Sequence, residues 1–346
     1  MLVAAFASAQ TSSGPTSSPS PAPPILDGLN AADVEKAISL IQEKYVHPAE
    51  VTGTELSRAT LDGLLDRLGP GATLLPGRAA TSPTPAPFYR EIIAGHIGYL
   101  RPGDLNRAQL QELDTTLRAF AGKKIDALVL DLRGCMQMSD YAAAAEFADR
   151  FVAKSEPLFE LRGPSGSSAQ SFVSKNAPSY SGILVVLVDQ DTVGAAEALA
   201  AVLRHNKAIT IGQKTAGRPT EYSDLSLPSG KILRLAVAEA VLPGGEAELA
   251  QGLRPDLTVA LPEQEKTEMF QQSQTKGMEQ FVFETDRPHF NEAALLAGTN
   301  PEIEAAEARQ RRARGERPGP HDPVLQRAVD VVTSIAVYEK QPGKSP

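Results

Sequence analysis

The chain has 346 residues, of which 42% are hydrophobic and 22% charged, which is ordinary for a globular protein of one large or two modest domains. Its formal net charge of −8 argues against nucleic-acid binding, because phosphate recognition needs a basic face. No apolar run approaches the roughly 20 residues that a membrane-spanning helix requires.

The sequence offers no pattern for a metal or a cofactor. The five histidines are far apart and form no HxxxH pattern, and neither a GxGxxG nor a Walker loop is present. Cys135 is the only cysteine, so an intramolecular disulfide cannot form. We therefore expect a core held by packing alone, with no metal and no cofactor.

The N-terminus has the features of an export signal. Leu2 to Ala7 is apolar, and Ala7-Ser8-Ala9 is an A-x-A cleavage pattern before Gln10. Because the basic leading region is missing, residues 1–9 are interpreted as a truncated signal peptide; the alternative is a disordered apolar start. Residues 10–27 are rich in Ser, Thr and Pro and are expected to be an extended linker. This order predicts an exported protein, periplasmic or extracellular.

Two helices are predicted in a helical region over residues 28–76. Ala31 to Tyr45 has apolar residues at helical spacing, and a second helix from about Glu55 to Leu68 stops at Gly69-Pro70-Gly71. Residues 77–95 are rich in Pro, Thr and Ala in their first part and are expected to form a surface linker.

From His96 the pattern becomes an alternation of strands and helices. Ala127 to Leu132 and Ile183 to Val188 are continuous apolar runs, which are typical of strands buried on both faces. This rhythm predicts a mostly parallel α/β sheet with right-handed crossovers. The remaining predicted elements are strands over 97–100, 209–212 and 232–242, and helices over 110–120, 141–152 and 194–205.

The C-terminal extension, residues 263–346, is polar and partly helical. One helix is predicted over 322–339, with Asp322 as its cap, Pro323 in its first turn and an apolar face that includes Val332. This helix either packs back on the core or forms an oligomer contact.

Three ordered stretches resemble the tail-specific, or C-terminal processing, serine peptidases. LDGLLDRLGP is similar to the family's helical lead-in, and Gly98-Tyr99-Leu100 followed by LVLDLR is similar to its GYI…LILDLR strands. Leu227 to Lys231, then LPGG and GLRPD, resembles its SGK…TPSG…GIxPD run. The resemblance implies a crotonase-like α/β core over residues 96–262 with the active site at strand ends. The family's PDZ domain has no room here, since about 20 residues separate Leu75 from His96.

The resemblance also implies where a Ser-Lys dyad belongs, and other residues occupy those positions. In TVGAAE, Glu197 fixes the alignment and the nucleophile position falls on Gly194, which has no side chain to attack with. Arg218 lies at the base position, and arginine does not act as a neutral base. The supporting position holds Tyr222, and Gln137 stands in the oxyanion loop where the family has glycines.

Other groups near these positions are candidate replacements for the lost dyad. Thr192 has a hydroxyl but lies two residues from the nucleophile position, and Lys214 is interpreted as a surface charge beside the base position. Cys135 and His205 could form a Cys-His pair; the alternative is an apolar filler and a helix C-terminal charge. Ser139 and Asp140 are expected to cap the helix that starts at Tyr141.

The sequence thus predicts a pseudopeptidase of this family, in which Gly194, Ala195, Arg218 and Tyr222 contact a peptide without cleavage. Arg218 could hold the carboxylate of a peptide C-terminus. The expected partners are unfolded or C-terminal peptide segments, with a homo-oligomer or an active paralogue as further partners. Two alternatives stay open: a hydrolase with a relocated nucleophile, and a structural subunit of an active paralogue.

Overall fold

The computed structural model describes residues 29–77, 85–123, 125–135, 140–164, 168–217, 219–243, 251–282 and 320–339. The chain divides into two compact units, residues 1–69 and residues 70–346. None of the helices in the described ranges is long and apolar enough to cross a membrane. The signal and linker expected over residues 1–27 lie outside the described residues.

The first unit contains the two predicted helices, α1 (Ala31–Lys44) and α2 (Gly53–Leu68). The Asn30 side chain accepts from the Asp33 N–H, and Asp33 returns a bond to the Asn30 N–H, which forms a capping box. Thr52 caps α2 by accepting from the N–H of Glu55. These caps satisfy N–H groups that a helix start leaves without partners.

The second unit is built around a six-stranded sheet in the order β11-β8-β7-β4-β3-β2. All neighbours pair in parallel except β2 and β3, so the predicted, mostly parallel α/β sheet is confirmed. The strands are β2 (Tyr89–Ile93), β3 (Ile97–Arg101), β4 (Ala127–Asp131), β7 (Ile183–Val188), β8 (Ile209–Gly212) and β11 (Leu257–Thr258).

Strand β2 lies inside the segment that the sequence assigned to a surface linker. Tyr89 pairs with Arg101 and Ile93 with Ile97, in an antiparallel hairpin that ends the sheet. The sequence did not indicate this strand, because the segment was assigned from its Pro-rich composition and the strand occupies only five of its residues.

Both faces of this sheet are buried, which explains the continuous apolar runs of its central strands. Along β4, Leu128 and Leu130 pack on one side and Ala127 and Val129 on the other, because side chains alternate along a strand. The helices that cover the sheet are α3 (Arg107–Ala121), α4 (Tyr141–Ala148), α5 (Gly194–His205), α6 (Glu263–Lys276), α7 (Glu279–Val282) and α8 (Pro323–Glu339). We call the side covered by α3, α4 and α5 the α5 face, and the side covered by α6, α7 and α8 the α8 face.

The predicted C-terminal helix is confirmed as α8, and so is its packing on the core. Val324, Ala328 and Val332 are buried in the apolar cluster of the α8 face. Asp322 accepts from the N–H groups of Val324 and Leu325 at 3.1 and 3.0 Å, as expected of its cap.

A second, antiparallel sheet of five strands was not predicted. Its order is β1-β10-β5-β6, with β9 paired to β10 as well. Only β10 was expected, since polar stretches such as SAQSFV and TEYSDLS carry no apolar run. The strands are β1 (Ala72–Leu75), β5 (Pro157–Arg162), β6 (Ser168–Val173), β9 (Thr220–Ser226) and β10 (Ile232–Val241).

Candidate active site

Three loops meet at one edge of the six-stranded sheet. Strands β4, β7 and β8 are parallel neighbours, so their carboxyl ends lie side by side. The segments that follow them begin at Leu132, Asp189 and Gln213. These are the stretches that the sequence aligns with the oxyanion, nucleophile and base loops of the peptidases. Open α/β sheets bind ligands at this edge.

At the nucleophile position, this chain has a glycine with an unusual backbone conformation and no reactive side chain. Gly194 is the first residue of α5 and has a φ of 56°, in the left-handed region that favours glycine. Val193 is the N-cap and makes no side-chain capping bond. Gly194 and Ala195 are both buried. The helix therefore begins at the expected position without a hydroxyl there.

Thr192, the nearest hydroxyl, is used to hold the loop in place. Its Oγ1 donates to the carbonyl oxygen of Leu132 at 3.2 Å and accepts from the N–H of Asp189 at 3.1 Å. The residue has no exposed surface. Such bonds join the nucleophile loop to the end of β4 and leave the hydroxyl poorly placed to attack a substrate.

Glu197 joins the nucleophile loop to the base loop. Its buried carboxylate accepts from the hydroxyl of Thr215 and, at 2.9 Å, from the N–H of Gly217. The Thr215 oxygen also accepts from the Leu253 N–H at 2.7 Å. Glu197 served only as an alignment marker in the sequence, whereas here it fixes the loop that leads to residue 218.

Of the four aligned positions, the structure describes Gly194 and Tyr222. Arg218 and Gln137 lie outside the described residues, so the expectations about them stay predictions. Tyr222 is on β9, and its hydroxyl donates to the carbonyl oxygen of Pro70 at 3.1 Å. Lys214, beside the base position, is exposed, as its interpretation as a surface charge requires.

The alternative Cys-His pair is not brought together. Cys135 is fully buried in the apolar cluster of the α5 face, just beyond the carboxyl end of β4. His205 is the last residue of α5, a helix about 18 Å long that starts at this same sheet edge. The imidazole therefore lies towards the opposite edge of the sheet. Of the two predicted caps of α4, Asp140 accepts from the N–H of Ala143, and Ser139 lies outside the described residues.

A buried ion cluster, missed by the sequence reasoning, lies behind the site on the α8 face. The Arg133 guanidinium donates to Asp131 at 2.9 and 2.7 Å and to Asp322 at 3.0 and 2.7 Å. Tyr99 donates to Asp131 at 2.7 Å. Burial raises the pKa of Asp131, but Arg133 outweighs burial and holds that pKa below its usual range. The cluster fixes the end of β4 to the start of α8.

Lys266 of α6 adds a second charged contact at the same edge. Its ammonium donates to Asp189 at 2.6 Å, to Asp191, and to the carbonyl oxygen of Arg133 at 3.2 Å. Burial lowers the pKa of Lys266, yet the bonds to both aspartates more than compensate and raise it. Lys266 thus connects the oxyanion and nucleophile loops from behind. No local sequence signal marks it, because its partners are distant in the chain.

Comparisons with known proteins agree with the resemblance drawn from the motifs. Residues 96–259 match the family model of peptidase family S41. Carboxyl-terminal-processing peptidase 1, chloroplastic, of Arabidopsis thaliana is 25% identical over 198 residues, which are 55% of this chain and 40% of that protein. Carboxy-terminal processing protease CtpA of Bacillus subtilis (strain 168) is 25% identical over 243 residues, 69% of this chain and 48% of that protein. The resemblance is confirmed.

The chain spans about half the length of the curated relatives it matches. Among solved structures, a photosystem II D1 C-terminal processing protease aligns with a TM-score of 0.43 and 22% identity. That alignment covers 55% of this chain and 47% of the other.

Proposed function

We propose that this protein is a pseudopeptidase, an interpretation that starts from the match of residues 96–259 to the family model of peptidase family S41. It binds unfolded or C-terminal peptide segments and does not cleave them. The observation that carries the proposal is Gly194, which begins α5 at the nucleophile position with a left-handed φ and no side chain. Ser-Lys proteolysis needs a hydroxyl at this point and a lysine that can lose its proton.

The surroundings of Gly194 support the same proposal. Thr192 is buried and bonded to the backbone of Leu132 and Asp189, and the Tyr222 hydroxyl, at the supporting position, bonds to Pro70. Arg218 at the base position keeps its proton at any ordinary pH. In this proposal the loops keep a binding place for a peptide, and none of their described residues is placed to activate a nucleophile.

A casein cleavage assay tests the loss of activity. The purified protein, a Gly194→Ala variant and a Gly194→Ser/Arg218→Lys variant would be incubated with casein, and new amino groups would be measured. We expect no cleavage by the first two. Cleavage by the unmodified protein that Thr192→Val or Cys135→Ala abolishes would establish the alternative, a hydrolase with a relocated nucleophile.

Arg218 is proposed to bind the carboxylate at a peptide C-terminus through paired N–H donors. The test is a titration with one labelled peptide in two forms, with a free and with an amidated C-terminus. We expect the free form to bind more tightly and Arg218→Ala to remove the difference. Lys214→Ala is the matched control, since Lys214 is an exposed cation four residues away.

We also propose that the protein is exported, on the basis of the apolar start and the A-x-A pattern at Ala7 to Ala9. Expression of the full chain followed by separation of cell envelope and cytoplasm tests this. Mature protein that begins at Gln10 in the exported fraction is the expected result. Uncleaved protein confined to the cytoplasm would contradict it.

A further inference from the structure

Tyr141, the first residue of α4, carries a polar group that the fold leaves unsatisfied. The residue is 2% exposed, and among the described residues its hydroxyl is the only buried side-chain nitrogen or oxygen without a hydrogen-bond partner. A buried hydroxyl without a partner is costly, and phenylalanine would fill the same space without that cost. Such a group in a native protein needs a specific explanation.

The hydroxyl lies close to the candidate site. The ring of Tyr141 packs edge-on against Phe159, with ring centroids 5.9 Å apart. Burial raises the pKa of Tyr141 far above its usual range, and the nearby Glu197, Glu221, Tyr222 and Glu239 raise it further. These neighbours lie on α5, β9 and β10. Among them, Glu197 joins the two site loops and Tyr222 is at the supporting position. The phenol therefore keeps its proton and is a hydrogen-bond donor.

The acceptor that suits this donor is a neutral one. Three carboxylates are near enough to the Tyr141 hydroxyl to raise its pKa, and their charge repels an incoming anion. Glu197, the first of them, already accepts from Thr215 and Gly217. A peptide carbonyl is a neutral, strong acceptor. Since Gly194 has no side chain, a peptide backbone can approach the start of α5 closely.

We infer that the Tyr141 hydroxyl donates a hydrogen bond to a backbone carbonyl oxygen of a peptide bound beside Gly194. This inference rests on the proposed peptide-binding function and adds a binding residue that no motif marks. In the free protein the hydroxyl is closed off from solvent, so a neighbour must move. Tyr222 is half-buried, and giving up its bond to Pro70 would open this side of the cleft.

The test compares Tyr141→Phe with the unmodified full chain. The probe is a dye-labelled ten-residue peptide of alanine and leucine with an amidated C-terminus, followed by fluorescence anisotropy. The amide removes any contribution from a terminal carboxylate. We expect Kd to rise about 3- to 10-fold, the effect of one neutral hydrogen bond. The thermal midpoint without peptide should stay equal or rise, because the variant loses no bond within the protein.

Tyr180→Phe is the matched control. The Tyr180 hydroxyl donates to the carbonyl oxygen of Ile183 at 3.0 Å, so this variant should lower the thermal midpoint and leave Kd unchanged. If Tyr141→Phe behaves in the same way, its hydroxyl is bonded inside the fold through a water and the inference is wrong. Equal peptide affinity of the two proteins at an unchanged midpoint also overturns it, while the proposed function stands. If the unmodified protein binds neither this peptide nor its free-carboxylate form, both fail together.

Discussion

The two faces of the six-stranded sheet differ most where they meet its carboxyl edge. On the α8 face, Arg133 and Lys266 are buried with all their charge paired to aspartates. On the α5 face, two of the aligned positions hold Gly194 and Tyr222, and the Tyr141 hydroxyl has no hydrogen-bond partner among the described residues. The oxyanion and nucleophile loops are therefore joined from the α8 face, by residues outside the four aligned positions. Under the proposed function, this support explains why the fold persists when the residues at the aligned positions change.

The largest effect is expected for Asp322→Asn, which removes one charge from the buried cluster of the α8 face. Asparagine keeps the capping geometry of α8 but removes a charge from a fully buried pair. We expect a loss of about 3 kcal/mol in the free energy of unfolding, the lower end for a broken buried pair, because Arg133 retains Asp131. Urea unfolding followed by circular dichroism measures it, since the chain has no tryptophan.

Asp224→Asn is the control for this prediction. Asp224 also pairs with an arginine through two bonds, to Arg234 at 2.7 and 2.9 Å, but its side chain is 45% exposed. An exposed pair contributes about 0–1 kcal/mol. Equal losses in the two variants would mean that the buried cluster does not hold the loops.

A medium effect is expected on the α5 face, at the C-terminal end of α4 and away from the site. Burial raises the pKa of Asp149, but bonds from Asn176, Ser174 and the Lys175 N–H outweigh burial and lower it. Its pKa is lower when folded than when unfolded, so its contribution is present above about pH 4 and is lost as the pH falls through the folded pKa. Asp149→Asn should cost about 2 kcal/mol at pH 7.

The pH dependence provides the internal control for Asp149. The difference in unfolding free energy between Asp149→Asn and the unmodified protein should shrink as the pH is lowered from 7 towards 3. A difference that stays constant over this range would show that packing, not charge, is lost. The expected result would show that the buried carboxylate of Asp149, on the α5 face but away from Gly194, is charged and hydrogen-bonded. It would then differ from the unsatisfied hydroxyl of Tyr141 near the site.

The sequence predicted the elements whose signals are local. Strand β7, helix α5 and strand β8 have the predicted bounds, because continuous apolar runs are bounded there by turns. The antiparallel sheet was missed, since strands such as β6 are short and polar and are defined by their partners.

The site was predictable only where the motif is contiguous in the chain. Gly194 follows from its distance to Glu197 in a six-residue stretch. The contacts that hold the site join distant residues: Arg133 and Asp322 are 189 positions apart, and Lys266 and Asp189 are 77 apart. Pairing at such separations leaves no periodic pattern, so neither ion contact could be inferred. The unsatisfied hydroxyl of Tyr141 likewise depends on what three other elements place around it.

The smallest effect on stability is expected at Gly194, and it shows whether the backbone there tolerates a side chain. Gly194→Ala places a Cβ on a residue with a φ of 56°, which should cost about 1–2 kcal/mol. Gly122, with a φ of −73° at the end of α3, is the control, and Gly122→Ala should be neutral or stabilising by up to about 1 kcal/mol. The expected loss would mean that the backbone has adapted to glycine, so that a serine returned to this position would be strained. If Gly194→Ala instead costs no more than Gly122→Ala, the turn tolerates a side chain, and the glycine is then explained by the close approach of a bound peptide.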